Sequence, residues 1–278
     1  MSIDLIYATW PDRSCGTGWH KMAAAMRAAG LTQRLAEAGF EVTERIVAAE
    51  GKDAADLKTA FELGAQIGAL VRARRAAGNL PVIVCGSCSV AAMGAIAGLG
   101  GEDTGMLWMD AHADLNTPDT TMSGLFDGMA VAITLGDAWR GMAFDIAGLT
   151  PLSRRNLCFY GARDLDPAER TMIDEEGLAI AEDAGEAISA LESCGQVYLH
   201  LDMDVHDAAL LRVNRFPVGG GPSPETVRRD LEAIAAALPV AALSITSLDP
   251  DVAKGQKAID CAIGHIEAVC GVLSKTSE

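Results

Sequence analysis

Short apolar runs rich in β-branched residues alternate along the chain with longer stretches in which apolar positions recur every three or four residues. The short runs predict strands at LIYATW (5–10), PVIVC (81–85), GMLWMD (105–110), NLCFYG (156–161), QVYLHLD (196–202) and VAALSIT (240–246). The longer ones predict helices at KMAAAMRAAGLTQRLAEAG (21–39), DLKTAFELGAQIGALVRARRAAG (56–78), PETVRRDLEAIAAAL (224–238) and AIDCAIGHIEAVCGVL (258–273). VIVCGSCSV (82–90) reads as the end of a buried strand passing through a loop into a further helix. Strand and helix alternating at this spacing predict βαβ units, hence an α/β fold of three layers, α/β/α, around a mainly parallel central sheet. No Ser/Gly linker, low-complexity tract or internal repeat divides the 278 residues, so residues 1–278 are expected to form a single domain. In such sheets ligands bind beyond the C-terminal ends of the strands, which is where chemistry should be sought.

Composition narrows the classes. Half the residues are hydrophobic but only 5% are aromatic, and alanine and glycine are abundant, which suits helices packed closely on a sheet. A formal net charge of −16 argues against a nucleic-acid backbone or an anionic membrane as partner. MSIDLIYATWPDRS has no basic stretch leading into an apolar one, so no secretory signal is expected. No uncharged apolar run approaches the roughly 20 residues of a membrane span. Seven scattered cysteines do not read as a disulfide framework, and a reducing cytoplasm is the expected location.

Two of the predicted strands end in acidic clusters. WMDAHADLNTP spaces Asp110, His112 and Asp114 at i, i+2 and i+4, which in extended backbone puts all three on one side. HLDMDVHD repeats the i, i+2 spacing with Asp202 and Asp204. Carboxylates gathered at the mouths of buried strands repel one another and are costly to desolvate. Divalent cations relieve that, and hard oxygen ligands with one imidazole suit Mn²⁺ better than structural zinc. A lone Asp there would be an ordinary loop cap; two clusters, each directly after an apolar run, point to metal.

At these residues the chain resembles the ureohydrolase family, the arginase and agmatinase group of binuclear manganese hydrolases. DAHADLNTP is similar to that family's DAHxDxNTP motif, LDMDVHD to its DxDxxD motif, and its GGDHS motif falls on Cys85–Ser89. AAGLTQRLAEAGFEV is similar to the family's first helix, and the resemblance runs to near residue 250. It implies the arginase-like fold and two Mn²⁺ per chain. Asp110 and Asp202 would bridge the two, Asp114 with Cys88 would complete one site, and His112 with Asp204 the other. It further implies a hydroxide between the metals that attacks a guanidino carbon, with Asp114 passing the proton to the leaving amine. A homo-oligomer also fits, trimers and hexamers being common in the family.

The loop beyond the metal motif indicates the substrate. NTPDTTMSG (116–124) resembles the NTPxTTxSG loop of arginases, which implies that Asn116 and Ser123, with Thr121 nearby, hold an α-carboxylate. GARDLDPAE resembles GxRDxDPxE, which implies Asp166 facing an α-amino group. Singly, these residues build turns; together they indicate a small arginine-like amino acid rather than agmatine. The chain also departs from the family. Its histidine ligand is Cys88 and the Asp beside it is Ser87, its proton-handling histidine is Asp127, and its guanidinium-facing Glu is Ser247 in ITSLDP (245–250). A site without that counter-carboxylate suits a less basic N-hydroxyguanidine. The Cys-for-His change resembles the N-hydroxy-L-arginine-hydrolysing branch, which releases L-ornithine and hydroxyurea on the route to D-cycloserine. Cys88 as the site's weak ligand implies that one Mn²⁺ is held less firmly.

Other readings stay open. The enzyme could be an ordinary arginase or another amidino- or formimino-hydrolase, or the fold could be a weakened, arginase-like binding protein. Cys88 could be buried filler, as Cys85 is read, or a nucleophile given an adjacent base. His200 shares the Asp202 face of its strand and could stand behind the metals. His20 and His265 have no catalytic role in this reading, and His206 belongs either to solvent or to the site. Arg163 orients a carboxylate or makes a structural ion pair, and VGGGP (218–222) permits unusual backbone angles.

Overall fold

The computed structural model of the chain describes residues 1–11, 18–51, 53–252 and 256–276. Among them, eight strands form one sheet: β1 (Ser2–Thr9), β2 (Glu41–Ala48), β3 (Leu80–Cys85), β4 (Thr104–Met109), β5 (Leu157–Tyr160), β6 (Ala179–Ala181), β7 (Gln196–Asp202) and β8 (Val240–Thr246). Every pairing is parallel, in the order β2-β1-β3-β8-β7-β4-β5-β6. Ten helices accompany it: α1 (Met22–Ala28), α2 (Leu31–Glu37), α3 (Leu57–Ala76), α4 (Cys88–Leu99), α5 (Ala130–Leu135), α6 (Arg140–Asp145), α7 (Pro167–Glu176), α8 (Ala184–Leu191), α9 (Pro224–Ala237) and α10 (Gln256–Thr276). None is long and apolar enough to cross a membrane.

Alternation along each strand sorts side chains into two cores, one on each face. Ile3, Leu5 and Tyr7 of β1 join Met22, Met26, Leu31 and Leu35 of α1 and α2, together with Leu231 of α9 and Ile266 of α10. Ile6 and Ala8 point the other way, into the core that holds Phe61 and Ile67 of α3 and Val90 and Met93 of α4. The three predicted layers follow from this sorting. The sheet core is apolar on both faces because helices cover both.

The abundant glycine has a specific use between α3 and α4. A Cβ on Gly94 would stand 2.6 Å from Ile67 Cβ, and one on Gly98 would stand 2.5 Å from Val71 Cβ. The two helices therefore meet backbone to side chain, and any larger residue pushes them apart.

One expectation is corrected and two strands are added. The stretch 21–39 is two helices rather than one, broken where Gly30 adopts φ +83°. Strands β2 and β6 had not been anticipated. β2 is an outer edge strand whose positions are half-buried or exposed except for Val47, with Ile46 65% exposed, so it lacks the apolar run that marked the others. β6 is three residues long, too short for any pattern. Helices α5 to α8 are also short, six to ten residues each.

Gly98→Val should destabilise the fold by about 1–3 kcal/mol through overpacking against Val71, read as a lower urea midpoint at unchanged slope. Gly78→Ala, in open space at φ +79°, should cost only its backbone strain.

Candidate metal centre

Four strands adjacent in the sheet, β3, β8, β7 and β4, deliver the candidate residues to one cleft at their C-terminal ends. Cys88 opens α4 after β3, Ser247 follows β8, Asp202 ends β7 and Asp204 lies in the 3₁₀ turn beyond it. Asp110, His112 and Asp114 follow β4. The cleft is lined by these seven and by Asn116, Ser123, Asp127 and Asp166. Thr121 lies outside the lining and holds the loop, its Oγ1 accepting the Gly124 N–H at 3.0 Å.

Extended backbone is not what gathers the carboxylates, contrary to the spacing argument. β4 stops at Met109, and the His112 N–H turns back onto Asp110 Oδ1 at 2.7 Å. Asp114 takes φ +50°, uncommon outside glycine, and its carbonyl accepts the N–H groups of Val131 and Ala132 at 3.0 and 3.3 Å, seating the start of α5. Likewise Asp202 Oδ1 accepts the Asp204 N–H at 2.7 Å. Side-chain-capped turns, with Asp residues bonding the backbone two positions on, aim the cluster inward. Ser247, at φ +59°, is the other strained residue of the cleft. Strain of this kind persists where surrounding structure imposes it, as at functional sites.

The electrostatics show what the cluster lacks. Burial, then the field of Asp204, pushes the Asp110 carboxyl up to about 7. Burial, then Asp110, raises Asp114 and Asp202 well above the carboxylate range. Burial works against charge on His112, but Asp110 and Asp204 outweigh it and raise the imidazole's pKa. Asp204 is buried too, yet His112 and Asn214, whose Nδ2 donates to Oδ2 at 2.9 Å, hold it low. Asp110 Oδ2 is buried with no hydrogen-bond partner. Positive charge is what these groups share a need for.

Two sets of potential ligand atoms, each set within 4.8 Å of itself, meet here: Cys88, Asp110, His200 and Asp202, and Asp110, His112 and Asp204. Asp110 belongs to both, as a bridging carboxylate would. An unpartnered buried carboxylate oxygen and an oxygen-rich donor set fit two divalent cations. Asp114 stands outside both sets but within their field.

Cys88 is the anomalous donor. Its thiol donates toward Asp202 Oδ2 at 3.1 Å and lies 3.1 Å from Ser247 Oγ and 3.3 Å from Thr246 Oγ1. Burial, then Asp202, Asp127 and the other carboxylates, raises its pKa well above a free thiol's, so no thiolate nucleophile forms unaided. Cys85 is fully buried, its thiol pushed up to about 12, and packs as core.

The surrounding residues hold the loops. Asn116 Nδ2 donates to Asp166 Oδ2 at 2.9 Å, and Thr120 Oγ1 donates to Asn116 Oδ1 at 3.0 Å. Asp127 Oδ1 accepts Ser87 Oγ at 2.5 Å and the Ser89 N–H at 3.0 Å, fastening it to the start of α4. Glu169, not singled out from the sequence, is buried beneath the cleft. It accepts the N–H of Leu115 and of Asp166, each at 2.9 Å, closing a capping box on α7. The D-P-A-E spacing was the signal that could have found it. Asp164, Trp19 and Phe216 also line the cleft, the two aromatic rings 5.7 Å apart, and nothing in their sequence context marks them.

Arg163 neither orients a carboxylate nor pairs with one; its guanidinium binds the carbonyls of Gly161, Asp204, His206, Val218 and Gly219. Gly221 is required beside it, since a Cβ there would stand 2.4 Å from Val205 O. His206 turns away from the cleft, its Nε2 3.0 Å from that of His265, so neither solvent nor the site claims it. His200 is fully buried against the Cys88 side of the cluster.

Comparison with known proteins gives one answer. The model of the Arginase family matches residues 12–270. The arginase of Brevibacillus brevis is 30% identical over 274 residues, 89% of this chain and 90% of that protein. The N(omega)-hydroxy-L-arginine amidinohydrolase of Streptomyces lavendulae is 31% identical over 248 residues, 84% of each. Among solved structures, arginase from Bacillus cereus superposes with a TM-score of 0.88 at 25% identity, covering 98% of this chain and 99% of that one.

A pH dependence follows from Asp110. Its folded pKa is raised, so its protonated form favours the folded state below the ordinary carboxylate pKa, and that contribution is lost as pH rises toward about 7. In chelated protein, Asp110→Asn should therefore gain melting temperature over wild type as pH goes from about 4 to about 7, by on the order of 5 °C. Added Mn²⁺ should raise the wild-type Tm more at pH 7.5 than at pH 5; a pH-independent difference would refute this account.

Proposed function

Because the chain belongs to the Arginase family, whose members are metal-dependent hydrolases of amidino C–N bonds, we propose that it hydrolyses N-hydroxy-L-arginine to L-ornithine and hydroxyurea. In this reading two Mn²⁺ are held by Cys88, Asp110, His112, Asp114, Asp202 and Asp204. Bound there, the cations lower the pKa of water, so that hydroxide is available near neutral pH. Asp114 carries a proton toward the leaving amine. Asp127, fastened to Ser87 and Ser89, handles protons farther out in the cleft. Asn116 and Ser123 receive the α-carboxylate and Asp166 the α-amino group.

The substrate rests on one observation: Ser247, read from the sequence as standing at the position of the family's counter-carboxylate, lines the cleft beside the metal cluster with its Oγ 3.1 Å from Cys88 Sγ. A full guanidinium would go without its partner there. An N-hydroxyguanidine is less basic, and its oxygen can meet the Ser247 hydroxyl. The Streptomyces lavendulae relative carries the matching activity in its name. We further read residues 1–278 as one domain acting in the cytoplasm on a small amino acid, without nucleic-acid or membrane partners, in antibiotic biosynthesis of the D-cycloserine kind. Self-association into a homo-oligomer is part of the same reading.

Purified enzyme reconstituted with Mn²⁺ should turn over N-hydroxy-L-arginine with a kcat/KM at least tenfold above that for L-arginine, with ornithine and hydroxyurea as products. A preference for arginine would overturn the substrate and leave the family intact. Cys88→His should tighten the weaker manganese site and raise arginine turnover several-fold. Unchanged metal content and turnover would remove Cys88 from the ligands.

A further inference from the structure

The loss of a histidine at position 88 leaves the Cys88 side of the cluster without its nitrogen donor, and another imidazole stands directly behind it. His200 lies on β7 two residues before Asp202, fully buried, opposite Trp108 in the register with β4. Its ring stacks on Trp108 with centroids 3.6 Å apart and planes 5° from parallel. Nδ1 lies 2.9 Å from Ser244 Oγ and 3.0 Å from Tyr198 Oη, which themselves are 2.6 Å apart. Nε2 points the other way, to Thr246 Oγ1 at 3.2 Å, and that hydroxyl is 3.3 Å from Cys88 Sγ.

We propose that His200 is the nitrogen ligand of the Cys88-side cation, supplying from strand β7 the imidazole that position 88 no longer provides. Its ligand atom and those of Cys88, Asp110 and Asp202 all lie within 4.8 Å of one another. Atoms on opposite sides of one divalent cation stand roughly 4–5 Å apart at ordinary bond lengths, so a small shift closes the shell. The rest of the ring's environment is that of a metal-bound histidine. One nitrogen is engaged by hydroxyl groups, which presents the other, and the Trp108 stack fixes the plane. On binding, Nε2 exchanges the Thr246 hydroxyl for the cation.

The inference rests on the two-metal reading above, and its test separates the two. Mn²⁺-loaded protein is examined by pulsed electron paramagnetic resonance, which detects nitrogen bound directly to the ion. His112→Asn removes the imidazole on the other side of the cluster. That variant should still show bound nitrogen, and His112→Asn/His200→Phe should show none. His200→Phe alone should weaken one manganese site by about 10–100-fold, but a residue behind the metal gives a loss of the same size, so the nitrogen signal decides. Should His200→Phe fail to fold, the His112→Asn spectrum stands by itself. Mn²⁺ bound to His112→Asn without nitrogen coupling overturns the proposal and spares the two-metal reading. Failure of the wild-type protein to bind Mn²⁺ at all overturns both.

Discussion

Mutual repulsion among buried carboxylates is the constraint around which this molecule is arranged. Asp110, Asp114, Asp202 and Asp204 are buried together at the ends of strands whose interiors are apolar on both faces. Burial and the neighbours' fields raise three of the four, and Asp204 escapes chiefly through His112, with hydrogen bonds to Asn214 and Asp110 adding to it. Without counter-charge such a cluster opposes folding. It is tolerated because a rigid all-parallel sheet holds it in place, and because cations can neutralise it.

The scaffold meets that cost with locally costly geometry. Asp114 and Ser247 hold left-handed backbone angles, and the carbonyl of Asp114 is spent on the first turn of α5. Glu169 ties the loop after β4 to α7, and Asp127 ties the cleft to α4. Arg163 gathers five carbonyls of the segments beside Asp204 and so fixes where that carboxylate can be. Each of these residues places a carboxylate of the cluster or its loop.

Much of this was legible before any coordinates. Two acidic clusters, each directly after a run such as GMLWM or QVYLHL, marked both the strands and the chemistry, because a buried strand end is where a lone carboxylate has least reason to be. The capping acid Glu169 is readable in DLDPAE as a helix-start pattern, but that spacing does not show that its carboxylate also takes the Leu115 N–H of a distant loop. Arg163 and His206 were ambiguous, since one residue's neighbours in sequence do not reveal which carbonyl or imidazole arrives from a distant segment. β2 was invisible because an edge strand with exposed positions has no need of an apolar run.

By itself the sequence determined the layered fold, the strand ends that carry the site and most of the residues that line it, because burial on both faces of a parallel sheet demands a pattern that few other folds produce. Only the tertiary structure decided how the carboxylates converge, through capped turns rather than strand alternation, and which of the remaining side chains stand with them. Strand order brings β3, β8, β7 and β4 side by side although they lie far apart in the chain. That juxtaposition sets Cys88 against Asp202, Thr246 and Ser247, and His200 beside Cys88, Asp202 and Thr246. Contacts between segments so far apart in the chain depend on register and strand order, which no local spacing encodes.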